Sequence, residues 1–360
     1  MPDLHALDLF DLAESVPRSD EQARERAAVL VSGAGWPHGA LGRLGELAGF
    51  VAATQGRCPP QPYGRVRAVV FAGDHGIAAA GVSRLSAASP GATTANLVRE
   101  LLDGRGPGAA CARAAGATVR VVDVAVDDPM TDVPDLVTAA KITRGSGRLD
   151  QVDALTPEQA RAAFEAGMAV ADQEADSGTD LVALGDLGIG ASTPAAVLVG
   201  VLTGTEVAVV VGQGRGLDDQ AWMRKAAAVR DGMRRGRPVL GDPLALLAMV
   251  GGADLAAATG FLLRSAARRT PVVLDGVVGL SCALLAHRIA FRGREWWLAG
   301  QRSGDPAADI AMERLALHPV LDVAVGLGQA TGALLAVPLL QAAVRVVADL
   351  VDPVTPRSAG

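Results

Sequence analysis

Cysteine and lysine are scarce in this chain of 360 residues, and basic residues are not in excess. The three cysteines, Cys58, Cys111 and Cys282, are far apart and odd in number, which excludes a disulfide framework and a paired-cysteine zinc site. Basic residues number 33 against 39 acidic ones, a formal charge of −6. Because no basic field is available to hold a polyanion, we expect no nucleic-acid partner.

A secretion signal and a membrane span are also missing from the pattern. Segment 1–22 lacks the basic flank, the long apolar stretch and the small-residue cleavage site of a signal peptide. Windows 187–205 and 323–344 carry no charge and approach the length of a span. Glycine-rich loops open both windows and each contains a proline, which favours buried helices of an α/β core. We therefore expect a cytoplasmic protein without a membrane partner.

The sequence does contain short β-branched runs that alternate with alanine-rich helical stretches. This alternation is typical of parallel strands joined by crossover helices. The predicted strands are 66–73, 117–126, 179–185, 206–212, 270–276 and 294–300. Ligands of such sheets bind beyond the carboxyl ends of the strands, so we look for chemistry in the loops that follow them.

The two ends of the chain show amphipathic helical patterns and no convincing strand, up to about residue 60 and after about Ile310. We predict a large α/β domain over 62–305. A smaller helical domain is predicted from 1–61 together with 306–352, with 353–360 as a tail.

The loop after the third predicted strand has the composition of an anion site. It contains Gly188 and Gly190, followed by Ser192 and Thr193 at the start of a helix. Glycines let the backbone approach a phosphate, and the free N–H groups of a first helical turn attract it. An ordinary strand-to-helix turn fits the glycine spacing equally well.

Lys225 is one of only two lysines in the chain and follows a second glycine-rich loop, 212–216. The pattern predicts that Asp218 or Asp219 caps the helix that carries it. A lysine on a helix usually belongs to a solvated face, although one placed just after a glycine loop could contact a phosphate.

Other polar residues follow the ends of predicted strands. Asp74 and His75 come directly after the first strand, Asp275 follows the fifth, and Ser303 and Gly304 follow the sixth. Asp74 could equally be a structural cap of its turn, and no histidine spacing indicates a metal site. From the residues alone, the chain is an α/β enzyme or binding protein for an anionic small molecule.

Seven segments in order resemble one family, the nicotinate-nucleotide:dimethylbenzimidazole phosphoribosyltransferases: FAGDHGIAAAGVS, GDLGIGASTPAAVLV, GRGLDD…WMRKAAAVRDGM, GGADLAAATGFL, PVVLDGVVGLSCALLA, RSGDPAAD and LGQATGALLA. The resemblance implies a Rossmann-like, mostly parallel sheet with a smaller helical domain, a homodimer and no metal or other cofactor. It also implies transfer of the 5-phosphoribosyl group of nicotinate mononucleotide to a benzimidazole nitrogen, with inversion and release of nicotinate. Because the chain departs from the family pattern in its ligand loops, we expect a divergent paralogue whose acceptor is a benzimidazole or a different base or phenol.

The resemblance also implies roles for individual residues. Gly188, Gly190, Ser192 and Thr193 would cradle the phosphate or ribose, with Lys225, Ser303 and Gly304 closing around it. Asp275 would lie in the ligand cleft. The loop 74–83, with His75 and Ser83, would line the acceptor pocket.

Departures from the family pattern fall in the ligand loops. Gln329 stands where the family has a glutamate expected to act as general base, and Asp186 stands where it has a second glutamate. An amide cannot accept the acceptor's proton at neutral pH. The catalytic candidates are therefore Gln329, which occupies the expected base position, and Asp186 and Asp74, either of which could accept the proton in its place. The alternative is a non-catalytic protein that binds a nucleotide or pairs with a complete paralogue as a heterodimer.

Overall fold

A parallel sheet organises the computed structural model, which describes residues 8–33, 37, 39–83, 93–211 and 217–351. Its strands are β1 (Val66–Gly73), β2 (Thr118–Ala125), β3 (Leu181–Leu187), β4 (Val272–Leu274), β5 (Trp297–Gln301) and β6 (Pro319–Leu321). The order across the sheet is β2-β1-β3-β4-β5-β6, and each neighbouring pair is parallel. The predicted α/β class with a parallel sheet is confirmed.

Helices precede the sheet, connect its strands and follow it. They are α1 (Leu9–Ser15), α2 (Glu21–Gly33), α3 (Gly42–Gln55), α4 (Thr94–Leu102), α5 (Gly106–Ala114), α6 (Asp135–Thr138), α7 (Pro157–Asp176), α8 (Ser192–Thr203), α9 (Val207–Val211), α10 (Asp219–Gly236), α11 (Pro243–Val250), α12 (Ala253–Ala267), α13 (Gly276–Ile289), α14 (Pro306–Leu315) and α15 (Thr331–Val351). Short 3₁₀ turns cover Gly76–Ala80, Arg237–Val239 and Phe291–Trp296.

One predicted strand is wrong and one strand was missed. Residues 206–212 were predicted as a strand, but Val207–Val211 forms the short helix α9. A continuous valine run has no periodicity that separates strand from helix, and here Val210 and Val211 are buried in the helical layer. The region after Ile310 was expected to lack strands, yet Pro319–Leu321 pairs with β5 at the sheet edge. The loop 212–216 lies outside the described residues.

The sheet is buried on both faces, which explains its continuous apolar strands. On one face Val69 and Phe71 of β1 join the cluster that includes α7 and α12, where the Phe71 and Phe261 rings meet edge to face at 5.6 Å. On the other face Ala68 packs in a cluster with α3 and α15. Helices from both ends of the chain therefore cover one face together, and the predicted boundary at 62 and 305 stays a prediction.

One helix among the described residues, over Thr331–Leu350, is long and apolar enough to cross a membrane by length and composition. Its residues Leu334, Val337 and Leu340 are buried in the cluster that also holds strand residues. The charge-free window 187–205 contributes α8, a shorter apolar helix. The core helix of a soluble protein can have the same length and apolar composition, so this helix is weak evidence for a membrane span.

Two glycines allow α7 and α12 to cross at backbone contact. A Cβ at Gly167 would overlap the carbonyl group of Ala257, and one at Gly260 would overlap that of Phe164. We expect Gly167→Ala to destabilise the fold by about 1–3 kcal/mol, because the helices must separate, although alanine alone favours a helix.

Chemical denaturation measures this effect. The matched control is Gly49→Ala in the middle of α3, where the nearest atom to a new Cβ is in the flexible Arg24 side chain at 3.4 Å. The control should keep or raise the free energy of unfolding. Equal stability for the two variants would contradict the close-packing account.

Candidate active site

A cavity of about 450 Å³ lies where the loops after β3, β4, β5 and β6 meet. It is at the carboxyl ends of the strands, the edge where parallel sheets bind ligands. Nine of the residues selected from the sequence line it: Ser83, Asp186, Gly188, Gly190, Ser192, Lys225, Asp275, Ser303 and Gly304. The four others, Asp74, His75, Thr193 and Gln329, lie outside its lining.

The glycine loop after β3 is shaped by contacts that exclude side chains. A Cβ at Gly188 would overlap the carbonyl oxygen of Gly73, at the end of β1. Gly190 has a φ of 94°, a left-handed value that favours glycine. The backbone N–H of Thr193 donates to the Gly190 carbonyl over 2.9 Å, and the Thr193 side chain is buried beneath the loop. The loop thus brings backbone to the cavity wall where side chains cannot fit.

Three helices begin at this cavity. Ser192 opens α8, Gly276 opens α13 and Pro306 opens α14, and all three residues line the cavity. The first N–H groups of each helix have no partner within the helix, and the helix dipole places positive charge there. An anion bound between them would meet three such ends at once.

Lys225 points into the cavity from α10, which Asp218 caps as one of the two predicted residues. The lysine is 7% exposed, and its Nζ donates to the Ser192 hydroxyl over 3.0 Å. Burial lowers the pKa of this ammonium group, and the charge of Asp305 opposes the shift. The solvated-face interpretation of Lys225 is wrong, because α10 packs this side against α8.

Three carboxyl groups line the cavity, those of Asp186, Asp275 and Asp305, and within the described residues no ion pair joins any of them to a basic side chain. Burial raises the pKa of Asp186 to about 7, with the Asp254 charge adding and His75 opposing. Burial also raises the pKa of Asp275 to about 7, and the Asp186 charge adds to it. The Oδ2 atom of Asp275 is buried without a hydrogen-bond partner among the described residues. Carboxyls with such pKa values can accept or donate a proton near neutral pH.

Asp74 and His75 support the cavity from outside. Asp74 accepts hydrogen bonds from the Thr94 hydroxyl at 2.5 Å and from the Asp127 N–H at 2.8 Å, which joins the end of β1 to α4 and to the loop after β2. The Nε2 atom of His75 is 3.0 Å from Oδ2 of Asp254, and both side chains are buried.

Gln329 turns its side chain away from the cavity. Its amide oxygen accepts from the N–H of Gly108 in α5 over 3.3 Å. Its own N–H donates to the Asp186 carbonyl over 2.8 Å, and its φ is 58°. The residue therefore fastens the loop before α15 to β3 and α5.

Sequence reasoning missed Asp305 and Asp254. Asp305 caps α14 by accepting from Ala307 N–H at 3.0 Å and lines the cavity, and an Asp-Pro pair that opens a helix could have indicated it. Asp254 lies in the alanine-rich helix α12, where nothing in the pattern sets it apart.

No group of three or more His, Cys, Asp or Glu side chains among the described residues could hold a metal ion. A larger cavity, about 880 Å³, lies between α2, α3 and the amino end of β5. The glutamates in its lining are paired, Glu21 with Arg24 and Glu46 with Arg43, and Glu295 accepts from the N–H of Ser19.

Comparisons with known proteins agree with this geometry. A family model described as a phosphoribosyltransferase matches residues 16–353. The nicotinate-nucleotide–dimethylbenzimidazole phosphoribosyltransferase of Streptomyces avermitilis is 53% identical over 355 residues, 97% of this chain and 92% of that protein. The protein of the same name from Mycobacterium ulcerans is 49% identical, covering 92% of this chain and 90% of its own length. The crystal structure of CobT from Thermus thermophilus matches with a TM-score of 0.84 and 38% identity, over 91% of this chain and 96% of that one.

The raised pKa of Asp275 predicts how stability depends on pH. The folded pKa of about 7 exceeds the ordinary 3.8, so the folded state holds this proton more tightly than the unfolded state. Stability therefore falls as pH rises between these two values. We expect Asp275→Asn to match the wild type near pH ~4 but to unfold at higher denaturant concentration near pH ~8.

Urea denaturation at both pH values provides the measurement. Asp103→Asn is the control, because Asp103 pairs with Arg105 on the surface. Parallel pH dependence in the wild type and Asp275→Asn would show that this carboxyl titrates normally.

Proposed function

The chain belongs to the nicotinate-nucleotide–dimethylbenzimidazole phosphoribosyltransferase family, and from this we propose that it transfers the phosphoribosyl group of nicotinate mononucleotide to dimethylbenzimidazole. One observation carries the proposal: a glycine loop, three helix starts and a buried lysine meet two carboxyls in one cavity. Relatives about half identical over nearly the whole chain are named as transferases, so the non-catalytic alternative has no support.

The donor's 5′-phosphate belongs at the start of α8. Gly190 and Ser192 offer backbone N–H and hydroxyl groups, and Lys225 stands 3.0 Å from Ser192. Ser303 and Gly304 close the same end of the cavity. A phosphate bound there would pair its negative charge with the buried ammonium of Lys225. We therefore take Lys225 as the residue that anchors the donor.

The acceptor belongs on the apolar side. Val82, Leu217, Val277, Val278 and Leu327 line the cavity together with the hydroxyl of Ser83. A flat benzimidazole ring buries its faces against such side chains. Held there, its unprotonated nitrogen can approach the anomeric carbon of the ribose from the side opposite nicotinate.

The transfer breaks the bond between the anomeric carbon and nicotinate, whose ring nitrogen keeps the electron pair. The acceptor nitrogen forms the new bond, and the proton on its other nitrogen must leave. We assign that proton to Asp186, because it lines the cavity whereas Asp74 and Gln329 do not. Asp275, the second carboxyl, places negative charge where positive charge develops on the ribose.

The partners we propose are therefore a nucleotide and an aromatic base, both small molecules. The homodimer implied by the sequence resemblance and the cytoplasmic location stay predictions.

Incubation of the purified protein with nicotinate mononucleotide and dimethylbenzimidazole tests the function. We expect equimolar nicotinate and a benzimidazole ribonucleotide, both measured by chromatography and mass spectrometry. A reaction without the acceptor measures hydrolysis. Absence of the new nucleotide under all conditions would overturn the proposal.

Removal of the Asp186 carboxylate tests the proton acceptor. We expect Asp186→Asn to lower kcat by roughly two to four orders of magnitude, the usual contribution of a general base. The donor KM should change little, since the phosphate lies at α8. Gln329→Glu is the companion variant: if it raised the rate strongly while Asp186→Asn stayed active, the proton would go to position 329 instead.

Lys225→Met tests the phosphate anchor. Loss of one charge-assisted hydrogen bond should raise the donor KM roughly ten- to hundredfold and leave the acceptor KM unchanged. Arg230→Gln on the same helix is the control, because Arg230 is exposed and pairs with Asp231. Equal effects of Lys225→Met on both substrates would indicate a general loss of structure.

A further inference from the structure

A buried ion pair lies directly behind the cavity, outside its lining. Nε2 of His75 and Oδ2 of Asp254 are 3.0 Å apart, with side chains 1% and 2% exposed. The other polar atoms, Nδ1 of His75 and Oδ1 of Asp254, have no hydrogen-bond partner among the described residues. Each charged group therefore depends on the other, an arrangement that costs more in desolvation than an apolar pair would.

The pair is enclosed by backbone from three segments of the site. A Cβ at Gly190 in the glycine loop would lie 3.4 Å from Cβ of His75. A Cβ at Gly73, at the end of β1, would lie 3.4 Å from Cβ of Asp254. At Gly252, just before α12, a Cβ would approach Cε1 of His75 to 2.6 Å. The pair thus joins the end of β1, the glycine loop and the start of α12.

Several titratable groups surround Asp186. Asp254 of α12 and His75 after β1 act on it from behind, and Asp275 acts from the end of β4. Cys282 of α13 also faces it, but burial raises the pKa of this thiol, which keeps it neutral.

Burial acts to lower the pKa of His75, but the carboxylates of Asp254, Asp74 and Asp186 together raise it above its ordinary value.

We propose that the His75–Asp254 pair is a positioning unit for Asp186: it fixes the glycine loop behind this carboxyl and sets the charge that the carboxyl meets. The inference rests on the proposed function only in taking Asp186 as the proton acceptor. Of the two charges, that of Asp254 acts more strongly on Asp186 than that of His75. The pair therefore favours the protonated carboxyl and brings its titration closer to neutral pH.

Two variants separate this role from simple structural support. In Asp254→Asn the histidine loses the carboxylate that does most to raise its pKa, and His75→Gln with Asp254→Asn replaces the pair by two amides. Both variants remove the negative charge of Asp254, which raises the pKa of Asp186. We expect the acid limb of kcat/KM to move to lower pH by roughly one unit in both. The matched control is the double variant Lys141→Met with Asp123→Asn, an ion pair at 2.8 Å whose carboxylate is buried and which does not line the cavity. The control should leave the limb in place.

Stability gives a second readout. His75→Gln alone leaves a buried carboxylate unpaired, so it should lower the melting temperature more than the double variant does. If the single variant fails to fold, the double variant still reports the limb.

The titration of Asp186 can also be followed directly by carbon NMR of labelled aspartate, with Asp186→Asn to assign the signal. An unmoved limb and an unmoved titration in both variants would overturn the inference. Absence of any transfer by the wild type would overturn the proposed function instead, and the NMR titration would still decide the role of the pair.

Discussion

Backbone-to-backbone packing at the carboxyl edge of the sheet is the constraint on which the cavity depends. A Cβ at Gly188 would overlap the end of β1, and one at Gly185 would overlap the N–H of Ala330 before α15. A Cβ at Gly328 would come within 2.8 Å of the Asp186 carbonyl oxygen. Loops from β1, β3 and β6 are thereby held at distances that only main chain permits. Their free N–H groups and the side chains between them face one shared space.

That space contains opposing charges. Three helix starts and Lys225 favour an anion, whereas Asp186, Asp275 and Asp305 would repel one if all were ionised. Burial resolves the conflict by raising the pKa of Asp186 and Asp275 to about 7 and that of Asp305 above its ordinary value. The ligand-free cavity can therefore stay nearly neutral. In the function we propose, a phosphate pairs with the lysine and one carboxyl ionises to accept the proton of the acceptor.

Features that follow from the order of residues along the chain were predicted correctly from the sequence. Features that depend on which elements pack together in space were not. Strands that are buried on both faces can be recognised as continuous apolar runs. Because the carboxyl ends of parallel strands share one edge of the sheet, the residues that follow them, such as Gly188, Asp275 and Ser303, were expected to lie together. The side of α10 that carries Lys225 is chosen by its packing on α8, which no local pattern contains. The strand predicted for residues 206–212 is wrong for a similar reason, because a run of valines fits a strand or a buried helix equally well.

The glutamine at position 329 is compatible with catalysis because of how its turn is built. Gly328, Gln329 and Ala330 all have left-handed φ values, of 71°, 58° and 60°. This turn aims the Gln329 side chain at the N–H of Gly108, where the start of α5 would attract a carboxylate as well. A proton acceptor at 329 would have to leave that contact to reach the cavity. Asp186 accepts the Gln329 N–H with its carbonyl oxygen and also lines the cavity, which supports our proposal that β3 supplies the base in place of position 329.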